Sequence, residues 1–234
     1  MHEREAAVAG GVARLFDAAR GCETLSQRII RYSGTTAERC DDEDDELLYV
    51  LEGEGRVSLD GEAHAFAPGT AVFVPRGTRS AFAVDGATKL VSVLVHDPEP
   101  AGAPAVVDLA TAEKRGATAG REFVLGAGTE NGCRSATQFV GLVPPGRAPD
   151  HFHTYDEVVY VLDGEGTLEI GGERAPLEPG TCVHLPARLV HCLANDGAST
   201  LRLLGVFRPA GSPAEAYYPD GTPALVGAGA AGAR

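Results

Sequence analysis

The chain has 234 residues, 44% of them hydrophobic, and this length allows either one large domain or two of about 100 residues each. Its 20 basic and 33 acidic residues give a formal net charge of -13, which argues against a nucleic-acid backbone or an anionic membrane surface as partner. We therefore expect a small-molecule substrate or ligand.

The cysteines and the opening stretch of the chain bear on its compartment. The five cysteines are odd in number and form no CxxC pair, which is typical of reduced, mostly buried thiols. The opening stretch, MHEREAAVAGGVARLF, is too charged and too weakly apolar for a signal peptide. No apolar run approaches the ~18 residues of a membrane-spanning helix. We expect a cytoplasmic protein with no membrane partner.

An internal repeat predicts the domain organisation. The segment that begins at Gly21 aligns with the one that begins at Gly132, and the offset of 111 residues is expected to hold without a gap as far as Val95 and Val206. The matches concentrate at turns and strand ends: YVLEGEG against YVLDGEG, PGT against PGT, and DGA against DGA. The duplication predicts four segments: a first unit at 1–98, a linker at 99–105, a second unit at 106–212 and a tail at 213–234.

Each unit consists of short apolar runs separated by turn residues. In the first unit these runs are LLYVLEGEGRVSL, DGEAHAFAPG and TAVFVP, and the second unit repeats the pattern. Such spacing predicts an antiparallel β-sandwich or β-barrel with no helix in its core. The stretch DPEPAGAP is the predicted linker, and the Ala- and Gly-rich residues 227–234 predict a frayed tail.

Four candidate ligands lie in the second unit. The spacing is His151-x-His153-x3-Glu157, with His191 on a later strand. Alternation along a strand places His151 and His153 on one face, and a barrel can bring Glu157 and His191 to the same place from neighbouring strands. Three imidazoles and one carboxylate suit a divalent first-row metal ion that keeps open coordination positions.

The two segments resemble the two motifs of the cupin superfamily, and nearly the whole chain outside the tail resembles a bicupin. The resemblance implies an all-β fold of two tandem cupin jelly-roll β-barrels (double-stranded β-helices). It also implies one divalent metal ion per chain, Fe, Mn, Ni or Zn, in the mouth of the second barrel, with His151, His153, Glu157 and His191 as ligands. Pro145 and Arg188 stand where the family pattern has glycine, and both are framework positions.

The first unit keeps the framework of the repeat and lacks its ligand set. The 111-residue offset gives four equivalences: Cys40 for His151, Asp42 for His153, Glu46 for Glu157, and Ser80 for His191. Only the glutamate is retained. We therefore expect an intact first barrel with a vacated pocket, in which three histidines introduced at the other positions recreate a metal site.

Further pocket residues and the reaction are less strongly indicated. His184 and Gln138 are candidates for the pocket wall, although a half-buried strand histidine is the favoured interpretation of His184 and a structural hydrogen bond explains Gln138 at least as well. Tyr217 and Tyr218 either fold over a barrel mouth or anchor the tail. The sequence predicts a metal-dependent bicupin enzyme, dioxygenase-like or isomerase- and lyase-like, or alternatively a non-catalytic binding protein, as a monomer or homodimer.

Overall fold

The computed structural model describes residues 1–6, 8–9 and 11–224, so the predicted frayed end at 227–234 lies outside the described residues. The described chain is almost entirely β-structure, which confirms the predicted all-β fold. Its helical pieces are single 3-10 turns: Glu3–Glu5, Ala18–Arg20, Thr118–Gly120 and Thr129–Asn131. None of the described helices has the length and apolar character needed to span a bilayer.

The strands of the first barrel belong to one ten-stranded sheet that folds back on itself. They are β1 (Val8–Ala9), β2 (Val12–Phe16), β3 (Leu25–Thr35), β4 (Arg39–Cys40), β5 (Asp45–Glu52), β6 (Gly55–Leu59), β7 (Glu62–Phe66), β8 (Thr70–Val74), β9 (Arg79–Val95) and β10 (Ala105–Asp108). The long strand β9 joins the two layers: its first half pairs with β4 and β6, and its second half pairs with β3 and β5.

The second barrel repeats this plan in two separate sheets. The strands are β11 (Lys114–Gly116), β12 (Glu122–Ala127), β13 (Thr137–Val143), β14 (Gly146–Arg147), β15 (Asp156–Asp163), β16 (Gly166–Ile170), β17 (Glu173–Leu177), β18 (Cys182–Leu185), β19 (Cys192–Asn195) and β20 (Leu201–Arg208). The larger sheet has the order β11-β12-β13-β20-β15-β18, and the smaller has the order β14-β19-β16-β17. The counterpart of β9 is thus divided into β19 and β20, and a loop separates them.

Apolar side chains fill three cores, one inside each barrel and one between them. On β5, Leu47 and Tyr49 face the second barrel and belong to the shared core. The alternate residues Leu48 and Val50 face the interior of the first barrel. Because both faces of this strand are covered, its apolar run is continuous and does not alternate with polar residues. Each fully buried aliphatic side chain contributes roughly 1.5–3 kcal/mol, so the shared core is a major part of the stability of both barrels.

The two barrels exchange their leading segments. Strand β10, which precedes the second barrel, pairs antiparallel with β8 of the first barrel. In return, Met1 accepts a 2.7 Å backbone hydrogen bond from Cys182 at the edge of the second barrel, and Glu3 donates a 2.9 Å hydrogen bond to Gly180. The predicted boundary between 105 and 106 therefore falls inside a strand that completes the first barrel.

The register of the repeat differs from the predicted one in the last strands. Glu46 lies opposite Leu94, whereas Glu157 lies opposite Phe207, so the offset on β20 has grown from 111 to 113 residues. The expectation of a gapless repeat up to Val206 is therefore wrong. The two extra residues lie in the loop between β19 and β20. Because side chains alternate with a period of two, this shift keeps the same residues facing inward.

Candidate metal centre

Three of the four predicted ligands converge at the mouth of the second barrel. His151 and His191 form an isolated bridge, in which each backbone N–H donates to the other residue's carbonyl oxygen at 2.9 Å. The centroids of the two rings are 4.6 Å apart, and the ring of His153 is 5.1 Å from His151 and 5.2 Å from His191. One nitrogen of each ring lies within 4.8 Å of the others, which is close enough for a single ion.

Backbone carbonyl oxygens orient all three imidazole rings. The Nδ1 atoms of the histidines each contact one carbonyl oxygen at 2.9 Å: His151 with Pro149, His153 with Glu215, and His191 with Leu189. A carbonyl oxygen only accepts, so Nδ1 carries the proton and Nε2 keeps a free lone pair. Fixing the tautomer through the second nitrogen is the usual way in which proteins prepare a histidine to bind a metal.

Burial keeps these histidines neutral. It lowers the pKa of His151 to about 3 and that of His153 to about 4, and in both cases the charge on the neighbouring histidines lowers it further. Burial also lowers the pKa of His191. Neutral imidazole is the form that binds a metal ion, so the trio is ready to bind at physiological pH.

Glu157 lines the same cavity from β15. Burial raises the pKa of its carboxyl group to about 8, and the charge on Arg121 opposes this shift. Its carboxylate is not part of the 4.8 Å cluster that the three histidines form. Gly205 on the neighbouring strand makes room for it, because a Cβ at that position would lie 2.8 Å from Oε1 of Glu157. The structure therefore assembles the histidines tightly and brings the glutamate to the cavity wall beside them.

Arg121 is a cavity residue that the sequence did not reveal. It follows the 3-10 turn Thr118–Gly120, and its Nη2 donates a 2.7 Å hydrogen bond to the carbonyl oxygen of Leu193. Desolvation lowers the pKa of its guanidinium group. Arg121 lies outside the repeated segments and outside both motifs, so no spacing singled it out. It gives the cavity a fixed positive charge next to the histidines.

The cavity is small and its remaining wall is mostly apolar. Its volume is about 80 Å³, and its apolar lining includes Phe139, Val159, Leu185 and Leu203. Tyr155 stacks on the ring of His153 at 4.7 Å and on that of Phe207 at 3.8 Å. These contacts hold the ring of His153 against the aromatic part of the wall.

A C-terminal strap, which we define as residues 211–224, crosses the mouth of the second barrel. Tyr217 and Phe152 exchange backbone hydrogen bonds of 3.0 and 2.9 Å, and their rings stack at 5.6 Å. The strap also supplies the carbonyl oxygen of Glu215 to His153, and Pro213 lines the cavity. Of the two expectations for the tyrosines, the structure thus has Tyr217 folded over the ligand loop.

The structure places His184 and Gln138 away from the cavity. Nε2 of His184 is 2.8 Å from Oδ1 of Asp156, on the face of β18 that is turned toward the first barrel. Gln138 donates a 3.3 Å hydrogen bond from Nε2 to the carbonyl oxygen of Leu48 in the other barrel. Strand alternation turns both side chains away from this cavity and toward the first barrel, so their interpretation as residues of the pocket wall is wrong.

The first barrel has no ligand set at the equivalent site, and its alignment with the second barrel is shifted there by one residue from the predicted one. Arg39, and not Cys40, lies opposite Ser80, in the place that His151 takes opposite His191. Cys40 is consequently exposed, and the equivalence drawn from the 111-residue offset is wrong at this position.

Glu46 in the first barrel already has three side-chain hydrogen-bond partners. It accepts a 2.8 Å hydrogen bond from Nη2 of Arg28, a second from Arg39 and a third from Oγ of Ser92. Two guanidinium groups thus neutralise the carboxylate that in the second barrel faces three neutral histidines. These three hydrogen bonds occupy most of the roughly four acceptor positions of the carboxylate, so it is held by its neighbours and is poorly placed to bind a metal ion.

Comparison with known proteins agrees with the two-barrel architecture. A family model described as a cupin domain matches residues 32–96 and again 138–207, one stretch in each barrel. Over 64 residues the chain is 38% identical to quercetin 2,3-dioxygenase from Bacillus subtilis (strain 168). That match spans 27% of this chain and 19% of the length of the relative.

Solved structures of low sequence identity share the fold. Oxalate decarboxylase from Bacillus subtilis at pH 4.6 superposes with a TM-score of 0.70 and 12% identity, over 90% of this chain and 76% of that one. Protein Ylba from E. coli gives a TM-score of 0.75 and 12% identity, over 89% of each chain. A putative glyoxylate induced protein from Pseudomonas aeruginosa gives 0.70 and 18%, over 86% of this chain and 90% of that one.

Proposed function

Since the chain belongs to the cupin family, with one cupin domain in each half, we propose that its second barrel is the site of a metal-dependent enzyme acting on a small anionic metabolite. The observation that carries the proposal is the convergence of three neutral, pre-oriented histidines with Glu157 and Arg121 in one cavity. The first barrel then serves as a structural partner, because its glutamate is paired with arginine.

The donor set fits a divalent ion of the first transition row. His151, His153 and His191 would bind it through Nε2, and Glu157 would complete the set once it loses its proton. When bound, such an ion supplies a Lewis acid with open positions for a substrate oxygen atom or for O₂. The carbonyl oxygens that hold the three Nδ1 atoms keep the rings in place in its absence.

Arg121 would bind the anionic group of the substrate. Within the described part of the chain its guanidinium group makes a single hydrogen bond, from Nη2 to Leu193, and the residue lines the cavity. Guanidinium groups in partly desolvated sites form strong, directional hydrogen bonds with carboxylates. A substrate held there would share the cavity with the three histidines, whose pKa values are lowered by burial and further by the charge of Arg121.

The size of the cavity restricts the substrate. A volume of about 80 Å³ is well below the roughly 300–1,000 Å³ of pockets that enclose drug-sized ligands. It suits a metabolite of a few heavy atoms better than a polycyclic one such as the flavonol in the name of the matched dioxygenase. We therefore favour small aliphatic carboxylates as substrates.

The test combines turnover with metal content. The protein is loaded with Mn²⁺ or Fe²⁺ and supplied with a panel of small keto, hydroxy and dicarboxylic acids, while oxygen uptake and product formation are followed. Oxygen uptake identifies a dioxygenase, and turnover without it identifies an isomerase or lyase. Absence of turnover with every metal would contradict an enzyme and favour the non-catalytic binding protein.

One matched pair of variants tests the role of Arg121. Arg121→Met should raise KM by about 100-fold or more with unchanged metal content, because a desolvated charge pair is lost. Arg115→Met, which removes an exposed arginine paired with Glu130, should leave KM unchanged. Equal effects of the two substitutions would contradict this role.

A further inference from the structure

A second group of metal-binding side chains lies between the two barrels. The sulfur of Cys22, a carboxylate oxygen of Asp156 and a ring nitrogen of His184 lie within 4.8 Å of one another. Cys22 comes from the first barrel, between the 3-10 turn Ala18–Arg20 and β3, and the other two residues come from β15 and β18 of the second barrel. None of the three lines the cavity that holds His151, His153 and His191.

We propose that Cys22, Asp156 and His184 bind a zinc ion that joins the two barrels. Thiolate, imidazole and carboxylate are the three side-chain ligands that zinc uses in proteins, and a water molecule completes a tetrahedron. Cys22 is buried, and His184 lines an open cleft together with Phe16 and Cys182, which gives an ion access from solvent.

The carboxylate of Asp156 is already oriented for this role. Its Oδ2 accepts a 3.0 Å hydrogen bond from Oγ1 of Thr24, and its Oδ1 lies 2.8 Å from Nε2 of His184. Asp156 and Glu157 are consecutive on β15, so strand alternation directs their carboxylates to opposite faces. One strand thus separates the site between the barrels from the site in the mouth.

Zinc binding would displace a proton from the thiol. Burial raises the pKa of Cys22 to about 12, and the charge of Asp156 adds to this effect, so the sulfur stays protonated while no cation is near. When the zinc–sulfur bond forms, this proton leaves to solvent. His184 would bind through Nδ1, or through Nε2 after the proton that Nε2 donates to Asp156 has moved to Nδ1. No oxidant or other reactant is involved.

The repeat supplies an internal comparison. The equivalent position contains Cys133 and Asp45, and the charge of Asp45 contributes to the raised pKa of that thiol. The place of His184 is taken by Phe73 on β8, since both residues lie on the same register of equivalent strands. One half of the interface therefore has three ligands, and the other half has two.

The two sites differ in the metals they favour. Three imidazoles and a carboxylate accept Mn²⁺, whereas a site with a thiolate selects zinc and cobalt over manganese. We expect one equivalent of Mn²⁺ per chain and two equivalents of Zn²⁺. A failure of the site in the mouth would remove the manganese equivalent and leave the zinc site between the barrels intact.

Cobalt spectroscopy provides the decisive experiment. The exposed Cys40 is first replaced by serine, and the full chain is then titrated with Co²⁺, whose bond to a thiolate gives a charge-transfer band in the near ultraviolet. The band should appear, and added Zn²⁺ should abolish it. It should persist in His151→Ala, which damages only the site in the mouth, and in the matched control Cys133→Ser.

Substitutions at the proposed ligands should remove the band. Cys22→Ser and His184→Ala should each lose it and lower the zinc content from two equivalents to one. Circular dichroism establishes that the variants are folded, and Phe73→His, which adds the missing ligand beside Cys133, should raise the band. Absence of the band in the parent protein, or its persistence in Cys22→Ser, would overturn the proposal.

Discussion

At the scale of single residues, the mouth of the second barrel combines imidazoles that stay neutral with a carboxyl group that keeps its proton. Burial lowers the pKa of His151 to about 3 and raises that of Glu157 to about 8, because in both cases it disfavours the charged form. The ligand set is consequently almost uncharged near neutral pH, apart from the neighbouring Arg121. A divalent ion entering it meets three ready ligands and one that must first ionise.

The first prediction concerns the proton that Glu157 gives up. Binding of Mn²⁺ at about pH 6.5 should release close to one proton, and this number should fall toward zero above about pH 9, where the carboxyl group is already ionised. Below pH 8, affinity should rise roughly tenfold per pH unit. Calorimetry in buffers of different ionisation enthalpy measures the release.

The matched variant is Glu157→Gln, which should bind Mn²⁺ more weakly and release no proton. The histidines cannot account for a release in this range, since His153, with a pKa of about 4, is already neutral. A release that persists in Glu157→Gln would contradict the assignment of the proton to this carboxyl group.

At the scale of elements, the two barrels differ in the pairing register of their strands. A shift of one residue turns different side chains into a site, whereas a shift of two residues keeps the same face of the strand inward. On β4, one residue of slip turns Arg39 inward to Glu46 and leaves Cys40 exposed. On β20, two residues of insertion keep the inward face intact, and Gly205 still leaves room for Glu157. In either register the first barrel has no histidine at these positions, so the loss of the side chains removes the ligands, and the one-residue slip adds the pairing of Arg39 with Glu46.

The second prediction follows from this slip. The triple variant Cys40→His, Asp42→His and Ser80→His should bind no more Mn²⁺ than the wild type, because the first substitution faces solvent and Glu46 remains paired with Arg39. Elemental analysis of the folded protein after dialysis measures the metal. A second equivalent would show that the pairing on β4 can slip back, contrary to the structure.

A third prediction concerns the C-terminal strap. Deletion of residues 212–234 removes the carbonyl oxygen that orients His153 and should lower Mn²⁺ affinity by about 10- to 100-fold, the usual cost of losing such a partner. Deletion of residues 225–234 alone should leave affinity unchanged. Equal affinities for the two truncated proteins would contradict a role for the strap in the centre.

The sequence predicted the fold and the convergence of three histidines because both depend on regular spacing. Turn residues fix the strands, and His151 and His191 fall on motif positions that neighbouring strands bring together. Arg121 was missed because it lies outside the repeat. The sequence placed Cys40 where the structure has Arg39. A sequence alignment compares residue types and carries no information about which face of a strand a residue occupies, so it could not detect this shift.

At the scale of the whole molecule, the two barrels share one core. Residues from both, including Val93, Leu109 and Val206, pack in the same cluster, and each barrel is completed by a segment from the other. The partner surface that a single cupin barrel would expose is covered here within one chain.

The fourth prediction is that the barrels unfold together. Because separation would expose the shared core and two unpaired strand edges, calorimetry should show a single transition whose van't Hoff and calorimetric enthalpies agree. Two resolved transitions would show that the barrels are independent. Thr24→Ala, which removes the hydrogen bond from the first barrel to Asp156, should lower the midpoint and keep the transition single.

The exchanged segments also set an order in which the protein can be completed on the ribosome. Strand β10 emerges soon after β8, so the first barrel can close early. The segment at Met1, however, pairs with Cys182, which is 181 residues away. Contacts of such long range form late, and the free segment needs protection from wrong partners until then. The edge strand β18 of the second barrel is thus covered last, by the N-terminal segment, although that segment is translated long before β18.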